Sequence, residues 1–171
     1  LIHKDIKPAN IIVTPEGDAK IIDLGMALKR NAFDRVAPYI DGMRTVYGTP
    51  SFMAPEQWRA EPCGRRTDVY GLGVTLYMML TGKNPFAGKS SKDSMQNHLN
   101  RLPQAVSRFS EGRIPKQLDS VVSKSLLKNT LGRHSDCMEF ASALYKVFTD
   151  PDLGYSFVET REKIKVGVES L

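Results

Sequence analysis

The chain has 171 residues, of which 41% are hydrophobic and 25% are charged, and it contains no internal repeat or low-complexity tract. That length suffices for one domain with a substantial core. The formal net charge of +5 arises from 24 basic and 19 acidic residues, and the basic residues form no run of five or more. We therefore predict no nucleic-acid partner.

Cysteine content and hydropathy bear on cellular location. The two cysteines, Cys63 and Cys137, are far apart and match no metal-ligand pattern, which is typical of a reduced intracellular protein. The sequence does not start with a signal-peptide pattern, and the longest apolar stretch, Val69 to Leu80, is too short to cross a bilayer. We expect a cytoplasmic protein with no membrane segment in this chain; a membrane anchor elsewhere in a longer parent protein would be compatible with the sequence.

The first predicted element is a β-hairpin flanked by polar residues. Asn10 leads into the β-branched run 11–13, a turn signal follows over 14–18, and a second apolar run over 19–22 ends at Asp23. A hairpin returns the chain to the point where it began. Asn10 and Asp23 are therefore expected to lie side by side.

The side chains around this hairpin have the chemistry of phosphoryl transfer. The amide and carboxylate oxygens of Asn10 and Asp23 suit Mg²⁺, which completes its shell with water and substrate phosphates. Asp5, on the preceding loop, can accept the proton of an attacking hydroxyl. Lys7 can stabilise negative charge on the transferred group. Each residue alone is commonplace on a protein surface, and the joint spacing is what indicates a site.

The sequence of residues 3–10, His-Lys-Asp-Ile-Lys-Pro-Ala-Asn, followed by Asp-Leu-Gly at 23–25, resembles the catalytic loop and metal-binding signature of protein kinases. Two positions depart from that pattern. Lys4 replaces the usual arginine before the catalytic aspartate, and Leu24 replaces the usual phenylalanine. The family's Gly-rich phosphate loop and its strand lysine belong to a smaller N-terminal lobe, which has no counterpart here. We therefore predict a fragment whose missing N-terminal lobe is a partner.

The resemblance also implies roles for individual residues. Asp5 would be the catalytic base, and Lys7 would contact the transferred phosphoryl group of ATP. Asn10 and Asp23 would bind the cofactors by holding Mg²⁺ against the phosphates of ATP. His3 would be structural and would pack beneath the loop.

A long loop is predicted after the hairpin. From Asp23 to Glu56 no period of 3.6 or 2 residues persists, and the stretch resembles the kinase activation segment. Thr45 is the expected phosphorylation site, because Lys4 and Arg44 could pair with the phosphate. Lysine lacks the bidentate fork of arginine, so this pairing is expected to be weak.

The end of this stretch, Gly-Thr-Pro-Ser-Phe-Met-Ala-Pro-Glu at 48–56, resembles the kinase segment that docks the substrate peptide. The resemblance implies that Thr49 hydrogen-bonds between Asp5 and Lys7, and that Thr49 with Lys7 marks specificity for serine and threonine. Small-molecule phosphotransferases share the Asp, Asn and Asp arrangement but lack this segment. A protein substrate is therefore favoured.

A buried helix follows. Thr67 and Asp68 are predicted to cap a helix from Val69 to Leu80 that ends at Gly82. The helix is apolar nearly all round, which indicates burial on every side, and its internal glycines predict close approach of another backbone. The resemblance makes it the central helix of the large lobe and makes Asp68 the structural tie between the helix start and the catalytic loop.

Three further helices are predicted: Ser91 to Leu102, Lys116 to Lys128, and one that a Ser135-Asp136 cap begins and that ends near Phe148. Between the last two, the resemblance pairs Arg133 with Glu56 of the Ala-Pro-Glu motif. Both residues would be structural.

The predicted fold is thus mainly α, within the α+β class: a protein kinase-like large lobe over residues 1–148 with a small β-hairpin at the catalytic loop. Residues 149–171 are predicted to be a C-terminal tail or linker. The implied function of the complete protein is transfer of the γ-phosphoryl group of ATP, with Mg²⁺, to serine or threonine hydroxyls of a protein substrate. Two alternatives stay open: a catalytically incompetent kinase-lobe interaction module, and a small-molecule phosphotransferase.

Overall fold

The computed structural model describes residues 1–28, 39–40, 43–44, 48–109 and 113–153. The predicted phosphorylation site Thr45 lies outside them, as do the side chain of its expected partner Arg44 and residues 154–171 of the predicted tail. Among the helices that these residues form, none combines the length and the apolar character needed to span a membrane.

Helices make up most of the regular structure. The α-helices of the described residues are α1 Pro55–Trp58, α2 Arg65–Thr81, α3 Ser91–Asn100, α4 Gln117–Ser125 and α5 Cys137–Phe148. Short 3₁₀ helices lie at Pro8–Asn10, Val106–Phe109, Thr130–Gly132 and Pro151–Leu153. This confirms the predicted, mainly helical fold class.

In the described residues the strands form two small antiparallel pairs: β1 Ile11–Val13 with β2 Ala19–Ile21, and β3 Tyr39–Ile40 with β4 Met43–Arg44. In the first pair Ile11 lies opposite Ile21. One residue further out, the Ile22 backbone N–H donates to the Asn10 carbonyl at 2.9 Å. Asn10 is therefore bonded across the hairpin to the residue immediately before Asp23.

The predicted N-terminal cap of the central helix is wrong. Thr67 and Asp68 lie inside the first turn of α2, which begins at Arg65 with Gly64 as its N-cap residue. The Gly64 backbone N–H donates to the Thr67 hydroxyl at 3.0 Å. The threonine thus satisfies the helix terminus from within the first turn, which is the reciprocal half of a capping box.

Helix α2 lies at the centre of the core and packs against α4 and α5. Tyr70 and Val74 are fully buried, but Met79 is 76% exposed, so the predicted burial on every side is wrong near the C-terminal end. A Cβ atom on Gly71 would lie 3.0 Å from the Ile6 carbonyl oxygen. The backbone of the catalytic loop therefore rests directly on α2.

The prediction of one unbroken loop from Asp23 to Glu56 is wrong. It contains strands β3 and β4, and helix α1 begins within it at Pro55. Strands of two residues are too short to show a period of 2 in the sequence.

Helices α3 and α4 both end earlier than predicted. Helix α3 stops at Asn100 rather than Leu102, because Pro103 disfavours helical backbone at the residue before it. Helix α4 stops at Ser125 rather than Lys128.

Candidate active site

The catalytic loop, residues 3–10, is held by the first turn of α2. Asp68 accepts hydrogen bonds from the backbone N–H groups of His3 and Lys4, both at 2.8 Å. Lys4 has a φ of +66°, a left-handed conformation that is uncommon for a residue with a side chain. Burial raises the pKa of Asp68, and the two N–H donors offset that rise only in part. The structure thus joins Asp68 to the catalytic loop.

His3 is buried beneath this loop. Its Nδ1 accepts a hydrogen bond from the Asp5 backbone N–H at 3.3 Å, so the neutral ring carries its proton on Nε2. Nε2 lies 3.1 Å from the Ile22 carbonyl, to which it donates. One side chain therefore links the backbone of Asp5 to the residue before Asp23.

Asp5 is 7% exposed, and both oxygens of its carboxylate accept hydrogen bonds. Oδ2 accepts from Lys7 Nζ at 2.7 Å and from Asn10 Nδ2 at 3.2 Å. Oδ1 accepts from the Thr49 backbone N–H at 3.0 Å. Lys7 Nζ also donates to the Thr49 hydroxyl at 2.6 Å. The structure thus brings Asp5, Lys7, Asn10 and Thr49 together, although the last is far from the others in sequence.

These contacts set the charge of Asp5. Burial acts to raise the pKa of Asp5, but the hydrogen bonds from Lys7 and Thr49 outweigh it and lower the pKa below its usual value. Asp5 is therefore ionised at neutral pH. It is a weak base whose orientation is fixed. It can accept the proton of a hydroxyl group while the oxygen of that hydroxyl forms a new bond.

Asn10 and Asp23 present different oxygens at the open end of the hairpin. Asn10 is buried, and its Nδ2 donates to the Asp5 carbonyl at 2.9 Å. Its Oδ1 receives no hydrogen bond from the described residues. Asp23 is exposed with a φ of +63°, and its Oδ1 accepts from the Gly25 N–H at 3.2 Å.

Whether Mg²⁺ fits this site can be judged from the oxygen atoms that could be its ligands. In the part of the chain that the structure describes, no three His, Cys, Asp or Glu residues form a group that could hold a metal. Mg²⁺ does not require one, because it is commonly bound by one or two carboxylates together with water and substrate phosphates. The amide oxygen of Asn10 and the carboxylate of Asp23 fit that chemistry.

Glu56 and Arg133 form a buried bidentate ion pair. Arg133 Nη1 and Nη2 donate to Glu56 Oε1 and Oε2 at 2.8 and 2.9 Å, and the two side chains are 0% and 3% exposed. Arg133 Nε donates to the Leu127 carbonyl at 2.7 Å, and the Thr67 hydroxyl donates to Glu56 at 3.0 Å. Helix α1 is therefore tied to the start of α2 and to the segment before α5.

A second buried polar cluster was not predicted from the sequence. The Tyr70 hydroxyl lies 2.9 Å from His98 Nδ1, and Lys128 Nζ donates to that hydroxyl at 3.3 Å. Lys128 Nζ also lies 3.8 Å from the centre of the Phe86 ring. Burial lowers the pKa of Lys128 to about 7, and burial with the nearby Lys128 charge lowers the pKa of His98 to about 4. Only the fold brings these residues together, so no local sequence pattern indicates the cluster.

Gln57 was also not predicted. It is buried between the catalytic loop and residues 48–56. Its position directly after Ala-Pro-Glu is a signal in the sequence that could indicate a role. The sequence at one position does not show whether a glutamine is buried or exposed.

Known proteins resemble this chain over most of its length. Residues 1–150 match the family model of the protein kinase domain. The chain is 37% identical over 147 residues to the serine/threonine-protein kinase PknB of Mycobacterium leprae. The matched region covers 86% of this chain and 23% of that protein. It is 36% identical over 140 residues to the probable serine/threonine-protein kinase PknB of Bifidobacterium longum, with shares of 82% and 20%. It is 33% identical over 147 residues to the probable serine/threonine-protein kinase CE0033 of Corynebacterium efficiens, with shares of 84% and 22%.

The chain belongs to the protein kinase family. It spans about a fifth of the length of the curated relatives that it matches.

The buried ion pair leads to a stability prediction. Replacing Arg133 with Met should lower the free energy of unfolding by about 3–5 kcal/mol, because Glu56 is left as a buried charge without its partner. Urea unfolding of this chain, followed by the fluorescence of its single tryptophan, Trp58, would measure the change. The matched control is Lys124→Met, which removes the cation of the exposed pair Lys124–Glu139 and should change stability little. Equal small effects of the two substitutions would contradict the assignment.

The cluster around His98 leads to a prediction about pH. His98 has a pKa of about 4 in the folded chain against 6.5 for a free side chain, so the unfolded chain binds more protons between these values and stability falls as the pH falls through this window. Going from pH 7.5 to 5.0 should therefore cost the wild type about 2 kcal/mol more than a His98→Asn variant. Urea unfolding at both pH values would measure this. The same loss in both proteins would show that His98 does not titrate in this way.

Proposed function

We propose that the complete protein is a serine/threonine protein kinase and that this chain forms its large lobe. The observation that carries the proposal is the placement of Asp5 between Lys7 and Thr49. It is supported by the membership of the protein kinase family and by the names of the relatives, each of which includes the words serine/threonine-protein kinase. A cytoplasmic location is proposed with it, since ATP is the phosphoryl donor.

The proposed chemistry is proton transfer at one oriented carboxylate. Asp5 accepts the proton of the serine or threonine hydroxyl as that hydroxyl forms its bond to phosphorus. Lys7, held beside both Asp5 and Thr49, stabilises negative charge on the group in transfer. Bound ATP would supply the γ-phosphoryl group: the bond between the γ-phosphorus and the β–γ bridging oxygen would break, and ADP would leave. Mg²⁺ would neutralise charge on the phosphates. Asn10 and Asp23 are the residues proposed to hold the metal.

Orientation matters more here than basicity. Phosphoryl transfer proceeds through a loose transition state, in which catalysis comes mainly from positioning and from charge stabilisation. A base with a lowered pKa, such as Asp5, is adequate for such a step because the hydroxyl proton leaves late. The three side-chain and backbone donors on the Asp5 carboxylate serve that positioning.

The proposed protein substrate would lie along the docking segment, residues 48–56. Within it the Phe52 N–H donates to the Thr49 carbonyl at 2.9 Å, and Asn84 Nδ2 donates to the Ser51 carbonyl at 2.8 Å. Both bonds stiffen the segment next to Asp5. This segment is what supports a peptide rather than a small-molecule acceptor.

A second lobe is proposed to cover the hairpin. Apolar side chains there are 41–68% exposed: Ile12, Val13, Ile21, Ile22 and Leu24. Such a concentration of exposed apolar side chains is unusual for a surface that contacts only water. We propose that the N-terminal lobe packs on this face and that the nucleotide binds between the two lobes.

The activity is tested by removing the proposed base. In the complete protein, Asp5→Asn should lower the rate of peptide phosphorylation by about 10²–10⁴-fold, because proton acceptance is lost. Incorporation of labelled phosphate into a serine-containing peptide measures the rate. Asp18→Asn, which removes a carboxylate from the exposed turn of the same hairpin, is the matched control and should leave the rate unchanged. An undiminished rate in Asp5→Asn would refute the assignment.

Nucleotide binding separates an enzyme from an interaction module. This chain alone should bind Mg-ATP at least about tenfold more weakly than the complete protein, a difference of 1.4 kcal/mol, because the hairpin would provide one wall of the site. Chelating Mg²⁺ should weaken binding to the complete protein. Isothermal titration calorimetry measures both effects. Absence of Mg-ATP binding to the complete protein would favour the interaction module.

A further inference from the structure

The side chain of Gln57 lies at the point where the docking segment meets the catalytic loop. It is 6% exposed and both ends of its amide are bonded. Oε1 accepts from the Ala54 backbone N–H at 2.9 Å, and Nε2 donates to the Lys4 carbonyl at 2.8 Å. The amide orientation is unambiguous, because Ala54 N–H can only donate and the Lys4 carbonyl can only accept.

The bond to Lys4 acts on the peptide group directly before Asp5. The Lys4 carbonyl and the Asp5 N–H belong to one planar peptide unit. Gln57 binds the oxygen of that unit, and His3 Nδ1 accepts from its N–H. Its plane is therefore fixed at both ends, and with it the direction in which the Asp5 side chain leaves the backbone.

The same peptide unit follows a residue in an unfavourable conformation. Lys4 has a φ of +66°, and its own N–H is held by Asp68. A left-handed residue with a side chain persists only where its surroundings determine it. Asp68 provides that constraint from the side of α2, and Gln57 provides it from the side of the docking segment.

Gln57 also contacts the start of the docking segment. A Cβ atom on Gly48 would lie 3.2 Å from Gln57 Nε2 and 2.7 Å from Met53 Cγ, and the φ of Gly48 is +140°. The glycine therefore allows the segment to pass directly over the glutamine amide. A displacement of the segment would reach the Lys4 carbonyl through this one side chain.

We propose that Gln57 is a positioning residue for the transfer reaction, whose side-chain amide couples the docking segment to the peptide unit that orients Asp5. This inference rests on the proposed kinase function. Gln57 does not touch the reacting atoms, so it acts through Asp5.

The test uses two substitutions in the complete protein. Gln57→Glu keeps the shape and the acceptor for Ala54, but places an oxygen opposite the Lys4 carbonyl. Gln57→Met keeps a similar volume and removes the hydrogen bonds to Ala54 and Lys4. Each should lower kcat about 10–100-fold, because small misplacements of a catalytic group have effects of that order. KM for ATP should stay within about twofold of the wild type, because the residues proposed to bind ATP do not include Gln57.

A dependence on pH distinguishes positioning from packing. The protonated form of the substituted side chain in Gln57→Glu can again donate to the Lys4 carbonyl. The kcat of Gln57→Glu should therefore come closer to that of the wild type as the pH is lowered, whereas the kcat of Gln57→Met should not. Gln104→Glu, the same change at an exposed position between α3 and α4, is the matched control and should behave as the wild type.

The possible outcomes separate this inference from the proposed function. A wild-type protein that does not phosphorylate the peptide contradicts the proposed function itself. An active wild type with unchanged kcat in the folded variants overturns the role of Gln57, as does an effect confined to KM. Failure of both variants to fold, judged by circular dichroism, would assign Gln57 a structural role and overturn the proposal as well.

Discussion

The candidate site depends on one half-buried carboxylate, that of Asp68. Its two oxygens accept the backbone N–H groups of His3 and Lys4 and hold Lys4 in a left-handed conformation. That conformation costs on the order of 1 kcal/mol for a residue with a side chain, and hydrogen bonds to a carboxylate are strong enough to offset it. Since Asp68 lies in α2, which is packed through the core, the shape of the catalytic loop is determined by the core rather than by the loop itself.

Helix α1 provides the second constraint, although it has only four residues. Its neighbouring side chains point to different parts of the molecule. Glu56 binds Arg133 in a buried ion pair, and Gln57 binds the Lys4 carbonyl. The docking segment that leads into α1 is thereby fixed to the core and to the catalytic loop together. The proposed substrate and the proposed base would then be held by one continuous set of contacts.

The sequence predicts the features that depend on neighbouring residues better than those that depend on contacts between distant segments. The β1–β2 hairpin is indicated by β-branched runs and a turn, all local, and the structure pairs Ile11 with Ile21 as such a hairpin requires. The start of α2 was misplaced because Thr67 caps the helix from inside its first turn. Gln57 and His98 were missed because their burial depends on segments far away in the sequence. The strands β3 and β4 were missed because two residues cannot show a period.

The central claim is that Asn10 and Asp23 hold one magnesium ion beside an oriented Asp5. A crystal structure of the complete protein with Mg²⁺ and a non-hydrolysable ATP analogue tests it most directly. The account predicts that Asn10 Oδ1 and an Asp23 carboxylate oxygen lie about 2.0–2.1 Å from bound Mg²⁺, with Asp5 facing the γ-phosphate. A metal held by other residues, or Asn10 and Asp23 side chains that point away from a shared cation, would contradict it.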